Sequence, residues 1–176
     1  GEFSIDYLEE IINAITESTQ GQASEADFDG LFEDMDLKAS KLGKAVSERT
    51  KSIAKIITTI DTIEVDIDAT DVDVLGTAYV QLIGDFASTA GKKGGEFYTP
   101  TNMSKLVARL ATVGLTDVLS VFDPTCGSGS LLLQVGKYAN VRKYYGQELT
   151  SSTYNLARMN MMLHGIDFKN FEIVHC

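Results

Sequence analysis

The sequence contains few of the residues that indicate a disulfide-rich, zinc-binding or membrane-spanning protein. Its two cysteines, Cys126 and Cys176, lie far apart, and no Cys/His pair has the spacing of metal ligands. A structural metal site and a disulfide framework are therefore not expected. No apolar run approaches the roughly 20 residues of a transmembrane helix, and no signal-peptide pattern is present. These absences predict a cytoplasmic protein without a membrane segment.

Basic residues are scarce in the first half of the chain. Residues 1–90 hold 19 acidic against 6 basic side chains, whereas residues 91–176 hold 6 against 9. A polyanion would therefore be repelled by the first half and weakly attracted by the second. The uneven charge predicts two domains, an acidic domain over 1–90 and a second domain over 91–176.

The first domain is predicted to be helical because its apolar residues recur at spacings of three and four. Residues 3–16 have one such apolar face, and Ser4 is the expected N-cap. The same spacing predicts a short helix over 28–35, a longer one over 42–60, and a fourth from about residue 72. Residues 64–71 are predicted to form a linker into that fourth helix. We expect a helical interaction domain with a solvated acidic face.

The second domain is predicted to alternate helices and strands, which indicates an α/β fold with a parallel sheet. A helix over 102–113 is expected to begin at an N-cap, Thr101, and to turn four apolar residues inward: Met103, Leu106, Val107 and Leu110. The elements expected after it are strands over 117–122, 142–147 and 171–174, and helices over 130–139 and 151–165.

A glycine-rich loop follows the first predicted strand, and it begins with an acidic residue, Asp123. Ligands of parallel sheets bind beyond the carboxyl ends of the strands, where this loop lies. Gly127 and Gly129 let backbone approach a ligand closely, and the next helix offers N–H groups to an anion. An acid beside such a loop repels a phosphate but suits the ammonium of an amino acid. The loop therefore favours a zwitterionic ligand, unless it is only a tight connection.

A second acid, Glu148, ends the next predicted strand and is expected at the same edge of the sheet. A carboxylate in that position can accept both hydroxyls of a ribose. An amino acid joined to a nucleoside describes S-adenosylmethionine. The dinucleotide NAD fits less well, because its pyrophosphate would meet Asp123 and Leu132 replaces the third glycine of the dinucleotide motif.

Four motifs, FDPTCGSGSLLL, YYGQEL, NLARMNMMLHG and the preceding GEFYTP, resemble the methylation subunit of type I restriction-modification systems. The resemblance implies a helical N-terminal domain followed by the first half of a Rossmann-like methyltransferase domain. It implies S-adenosylmethionine as cofactor and the exocyclic amine of adenine in DNA as methyl acceptor. It also implies partners in the intact complex: double-stranded DNA, a specificity subunit and a motor or restriction subunit.

The resemblance also implies roles for individual residues. Asp123 would face the methionine ammonium and Glu148 would hold the ribose. The glycine loop would surround the methionine through Thr125, Cys126, Gly127, Ser128 and Gly129. The GEFYTP segment would fold over the cofactor through Glu96, Phe97, Tyr98, Thr99, Pro100 and Thr101, unless its aromatic residues only anchor a loop. Cys126 is expected to be a neutral wall residue rather than a nucleophile.

The catalytic loop of such enzymes, Asn/Asp-Pro-Pro-aromatic, is absent from these residues, because the two prolines are Pro100 and Pro124. The chain is therefore expected to be an N-terminal fragment with no catalytic residue of its own and little methylation activity. Its open sheet edge favours self-association. The alternatives are an NAD-dependent oxidoreductase of doubly wound fold and a non-catalytic interaction module.

Overall fold

A computed structural model describes residues 3–62, 74–89 and 98–176. The chain divides into two compact units, residues 1–69 and 70–176. The charge distribution places a boundary near residue 90, whereas the contacts assign the fourth helix, α4 (Val74–Thr89), to the second unit. The reason is packing, since α4 lies against the last helix, α7 (Ser151–Leu163).

The described part of the first unit is helical, as the sequence predicts. It contains α1 (Ile5–Ser18), α2 (Glu25–Phe28), a 3₁₀ turn (Ser40–Leu42) and α3 (Val46–Asp61). The hydroxyl oxygen of Ser4 accepts from the backbone N–H of Tyr7 at 3.1 Å, which confirms Ser4 as the cap of α1. A small core forms from Ile5, Leu37 and Ile53.

One helix of the first unit lies earlier than predicted. The apolar spacing predicts a helix over 28–35, but α2 ends at Phe28 and turns follow it. Gly30 has φ +64°, a left-handed conformation that does not continue a right-handed helix. The prediction was wrong because the apolar side chains at 28, 31 and 32 mark a turn rather than a helical face. The linker predicted over 64–71 lies outside the described residues.

The described part of the second unit alternates helices with short strands. Its remaining helices are α5 (Thr101–Ala111) and α6 (Ser130–Gly136). Its strands are β1 (Asp117–Val118), β2 (Val121–Asp123), β3 (Asn140–Val141), β4 (Tyr144–Glu148) and β5 (Phe171–His175). The helices after β2 and β4 end two or three residues earlier than predicted, and α7 stops before Gly165, which has φ +70°.

Three strands form a parallel sheet in the order β2-β4-β5, and β1 and β3 form a separate parallel pair. The predicted α/β fold with a parallel sheet is therefore confirmed. The single strand expected over 117–122 is divided between the two sheets. Side chains from α6, α7 and the strands bury the core of this unit: Leu132, Leu133, Ala157, Met161, Tyr144, Phe171 and Ile173.

Helix α5 is rotated relative to the prediction. The four apolar residues expected inward, Met103, Leu106, Val107 and Leu110, are 43–66% exposed. The buried face instead carries Ser104, Ala108 and Thr112. Small side chains let α5 approach α6 closely, and the hydroxyls of Ser104 and Thr112 donate to carbonyls one turn earlier. Thr101 is the first helical residue rather than the cap, because Pro100 precedes the helix.

One outward apolar residue of α5, Val107, lies beside the open edge of the sheet. Val107 and Phe122 line one groove of about 240 Å³, and the Phe122 side chain is 59% exposed. Phe122 lies on β2 at the end of the sheet, where no described strand pairs with the outer edge of β2. We call Leu106, Val107, Leu110 and Phe122 the α5–β2 face. Parallel sheets are normally covered on both faces, so an apolar surface of this kind favours association.

We predict that the chain self-associates through the α5–β2 face. A double substitution, Leu106→Lys with Leu110→Lys, places two charges on this face and should shift the chain toward monomer in sedimentation velocity at tens of micromolar. Ile56→Lys on α3 is the matched control, because Ile56 is also exposed but lies in the first unit. Equal sedimentation of the double variant and the unmodified chain would contradict the prediction.

Candidate functional site

The register of the sheet brings two carboxylates to the same edge. Asp123, the last residue of β2, pairs with Gly146 of β4, and Glu148 ends β4 two residues later. Because β2 and β4 run parallel, the loop after Asp123 and the side chain of Glu148 emerge together. This edge is the one predicted from the sequence to bind a ligand.

Asp123 turns toward the glycine loop that follows it. Its Oδ1 accepts from the backbone N–H of Thr125 at 3.0 Å and lies 3.5 Å from the Thr125 hydroxyl. The side chain is half-buried, and its charge acts on the nearby thiol of Cys126. Asp123 therefore lies within the candidate site and fixes the first turn of the loop.

Glu148 joins the end of β4 to the same loop. Its Oε2 accepts from the backbone N–H of Gly127 at 3.1 Å, and its Oε1 accepts from that of Thr150 at 2.8 Å. A carboxylate has about four lone-pair sites, so each oxygen can accept a further donor. Glu148 thus orients the loop and keeps capacity for hydroxyl donors of a ligand.

The backbone of the glycine loop favours glycine at two of its own positions and at one position of β4. Gly127 and Gly129 have φ of +55° and +78°, which side chains rarely adopt. A Cβ at Gly129 would lie 3.0 Å from the Cε of Met161. A Cβ at Gly146 would lie 2.8 Å from the Sγ of Cys126. The positive φ angles therefore favour glycine at 127 and 129, and the loop crosses β4 where Gly146 leaves room for the Cys126 side chain.

Cys126 is a buried residue of the loop and packs in the core of the second unit. Its backbone N–H donates to the carbonyl of Gln147 at 2.9 Å, so the residue also ties the loop to β4. Burial, together with the negative charges of Asp123 and Glu148, raises the pKa of the Cys126 thiol to about 12. A thiol of that pKa remains protonated near neutral pH and is a poor nucleophile.

Part of the segment predicted to cover the site lies close to the helix that the glycine loop enters. Tyr98 is half-buried, and its hydroxyl lies 3.3 Å from that of Thr101. Both residues line a cavity of about 250 Å³ together with Ser130, the first residue of α6. Tyr98 also lies against α4, since a Cβ on Gly84 would approach its hydroxyl to 3.1 Å.

The remaining residues of this segment are less informative. Thr99 and Pro100 are exposed, and their carbonyls accept from the hydroxyl of Ser104 at 3.4 and 3.1 Å. Glu96 and Phe97 lie outside the described residues. The contacts of Tyr98 show that this end of the segment is anchored to the helices.

Two residues that the sequence reasoning did not select also belong to this region. Leu149 follows Glu148 and is 78% exposed, so an apolar surface adjoins the carboxylate. Asn160 of α7 is fully buried and donates from its side-chain amide to the carbonyl of Ser128 at 2.8 Å. A polar asparagine inside the apolar run MNMML is the sequence feature that could have identified this residue. Among the described residues, no group of three acidic, histidine or cysteine side chains is placed to hold a metal.

Comparison with known proteins identifies relatives for this arrangement. A family model described as N-6 DNA Methylase matches residues 70–176. The type I restriction enzyme MpnII methylase subunit of Mycoplasma pneumoniae is 45% identical over 177 residues, which cover 96% of this chain and 32% of that protein. The MjaVIII methylase subunit of Methanocaldococcus jannaschii is 38% identical over 111 residues, covering 61% of this chain and 19% of that protein.

Solved structures agree with the sequence comparison. The crystal structure of a type I restriction-modification methyltransferase subunit from Streptococcus thermophilus matches 99% of this chain with a TM-score of 0.86 and 38% identity. A Listeria monocytogenes protein described as a class I S-adenosylmethionine-dependent methyltransferase matches with a TM-score of 0.54 and 16% identity, a likeness of fold alone. The chain spans 36% of the Streptococcus structure and 32% of the Mycoplasma subunit.

We predict that Cys126 resists alkylation while Cys176, which is exposed, reacts. Iodoacetamide at pH 8 should label one thiol in the native chain and two in guanidinium chloride, because the raised pKa and burial keep Cys126 protonated and inaccessible. Mass spectrometry of the labelled peptides measures this. In the control Cys176→Ser, native labelling should nearly vanish; rapid labelling of that variant would contradict the prediction.

Proposed function

Because the chain belongs to the N-6 DNA methylase family, we propose that it supplies the S-adenosylmethionine-binding site of a type I restriction-modification methylase subunit. The observation that carries the proposal is the convergence of Asp123 and Glu148 on one glycine loop. The chain spans about a third of the Mycoplasma relative, so the activity of a complete subunit is part of the proposal.

The residues of the site fit this cofactor by charge and shape. Residues 123–129 and 148 include two carboxylates and no lysine or arginine. Such a site attracts an ammonium and a sulfonium, whereas a diphosphate would be repelled. The carboxylate of Asp123 would bind the methionine ammonium, and the bare backbone at Gly127 and Gly129 would let the methionine lie close to the loop.

The other end of the site suits a nucleoside. The two oxygens of Glu148 have remaining acceptor capacity for the two hydroxyls of a ribose. The exposed side chain of Leu149 offers an apolar surface beside it for a purine ring. Tyr98 and Thr101, anchored near the start of α6, would limit access of water to the methionine side.

The bound cofactor would supply an electrophilic methyl group, and adenine in DNA would be its acceptor. The exocyclic amine of adenine is a poor nucleophile. The base must be extruded from the duplex, and its amine must be held by polar groups. The prolines of this chain, Pro100 and Pro124, do not form the Asn/Asp-Pro-Pro-aromatic loop that would do this. We propose that this loop belongs to the length of the relatives that the chain does not span.

The remaining parts of the proposal concern partners and location. We propose that the acidic helical domain contacts protein rather than phosphates, because its charge repels a polyanion. Double-stranded DNA, a specificity subunit and a motor or restriction subunit would be bound in the intact complex, in the cytoplasm. No described helix is long and apolar enough to span a bilayer.

We predict that the chain binds S-adenosylmethionine and that Glu148→Gln weakens this binding at least about tenfold. Glutamine keeps the shape of glutamate but removes the charge and one acceptor oxygen, and a hydrogen bond to a charged group contributes about 1.5–3 kcal/mol. Asp123→Asn should have a similar effect. Isothermal titration calorimetry measures the dissociation constants.

Glu172→Gln is the matched control, because Glu172 is an exposed acid on β5 outside the site. Its cofactor affinity should equal that of the unmodified chain. NADH should bind no better than buffer. If Glu148→Gln, Asp123→Asn and Glu172→Gln all change the affinity for S-adenosylmethionine equally, the assignment of the two carboxylates is wrong. It is also wrong if NADH displaces S-adenosylmethionine.

We predict that these 176 residues transfer no methyl group to DNA. Tritiated S-adenosylmethionine and unmethylated duplex DNA should give counts at background, since the polar groups that bind the adenine amine are missing. A type I methylase complex with its specificity subunit serves as the positive control. Robust incorporation by the chain alone would show that it carries a base-binding site of its own.

A further inference from the structure

Asn160 is buried behind the glycine loop and contacts its backbone. It lies on α7, 0% exposed, and its Nδ2 donates to the carbonyl oxygen of Ser128 at 2.8 Å. The carbonyl is an acceptor only, so the amide nitrogen must face it. The contact joins residues 32 positions apart and holds a carbonyl of the loop, whereas Asp123 and Glu148 accept from its amides.

The same face of α7 limits the course of the loop on either side of this bond. A Cβ on Gly129 would meet the Cε of Met161 at 3.0 Å and the Cβ of Ala157 at 3.7 Å. Ser128 is buried, and its hydroxyl lies 3.1 Å from that of Ser130. The backbone between Cys126 and Ser130 is therefore held against α7 by one directional bond and by close packing.

Packing alone does not account for an asparagine in this position. The Oδ1 of Asn160 is buried and has no hydrogen-bond partner among the described residues. A buried polar atom without a partner is unfavourable, and a leucine of similar volume would avoid it. The amide is thus costly for stability, and its compensating contact is the bond to the loop.

We propose that Asn160 is a positioning residue, which sets the orientation of the Ser128 peptide and thereby the course of the loop backbone over residues 127–129. The inference rests on the proposed function, since it assigns the oriented backbone to binding of S-adenosylmethionine. Asn160 itself is fully buried, so the proposal assigns it no direct contact with the ligand.

The test compares Asn160→Leu with a control, Thr112→Val. Both substitutions remove a buried polar group at nearly constant volume, but Thr112 is the C-cap of α5 and its hydroxyl donates only to carbonyls of α5. Hydrogen exchange of the peptide covering 124–131, measured without ligand, reports loop order. Calorimetric titration with S-adenosylmethionine reports affinity, and thermal melting reports global stability.

We expect Asn160→Leu to accelerate exchange in 124–131 and to weaken cofactor binding about five- to tenfold, the equivalent of one lost hydrogen bond. The melting temperature should stay near that of the unmodified chain. Thr112→Val should leave both the exchange of 124–131 and the affinity unchanged. If Asn160→Leu does not fold, Asn160→Ala replaces it, with loop exchange normalised to that of β4 and β5.

Unchanged exchange in 124–131 would overturn the inference, as would a loss of affinity that only follows a loss of stability. Failure of the proposed function has a different signature. The unmodified chain would then bind no S-adenosylmethionine, while the exchange comparison would still decide whether Asn160 orients the loop.

Discussion

The parallel pairing of β2 with β4 determines where the glycine loop and the two carboxylates of the candidate site meet. This register places Asp123 opposite Gly146, so the loop after β2 passes over a position that has no side chain. Cys126 fills that space and bonds to the carbonyl of Gln147. Glu148 then reaches the Gly127 amide from the end of the neighbouring strand. A shift by one residue would reverse the faces of these side chains and separate the two carboxylates.

The candidate site consists of backbone and acids and contains no basic side chain, and this composition has a physical consequence. Peptide N–H and C=O groups bind a ligand specifically only when their orientation is fixed, because each peptide group otherwise samples many directions. Here the orientation is fixed by three side chains that bond to the loop: Asp123 to Thr125 N–H, Glu148 to Gly127 N–H and Asn160 to the Ser128 carbonyl. The acids therefore have two roles, since they order the loop and also supply its negative potential.

Helices α5 and α7 of the second unit differ in whether their apolar side chains are buried. Helix α7 buries Ala157 and Met161 completely against the sheet, whereas α5 packs through Ser104, Ala108 and Thr112 and leaves its apolar residues outward. An outward apolar face next to an unpaired parallel strand is a surface that a larger sheet would cover. The relatives are about three times as long as this chain, so they have the length to do so.

Local patterns in the sequence were sufficient to predict most of the helices and the parallel sheet, although the helix expected over 28–35 was wrong. Helical spacing, an N-cap at Ser4, and the order of strand, glycine loop and acid depend on neighbours along the chain, which the sequence displays directly. The inward face of α5 and the division of 117–122 between two sheets were not predictable in this way. Both depend on which element packs against which, and a helix with two possible faces is oriented only by its neighbours.

The sequence by itself determined the chemistry of the site, because the residue types Asp123, Gly127, Gly129 and Glu148 set its charge and its bare backbone. Only the tertiary structure decided how that chemistry is held in place. Asn160 bonds to a loop 32 residues earlier, and Tyr98 lies against Gly84 of another helix. Such contacts join residues distant along the chain, and no local pattern encodes the distance between them.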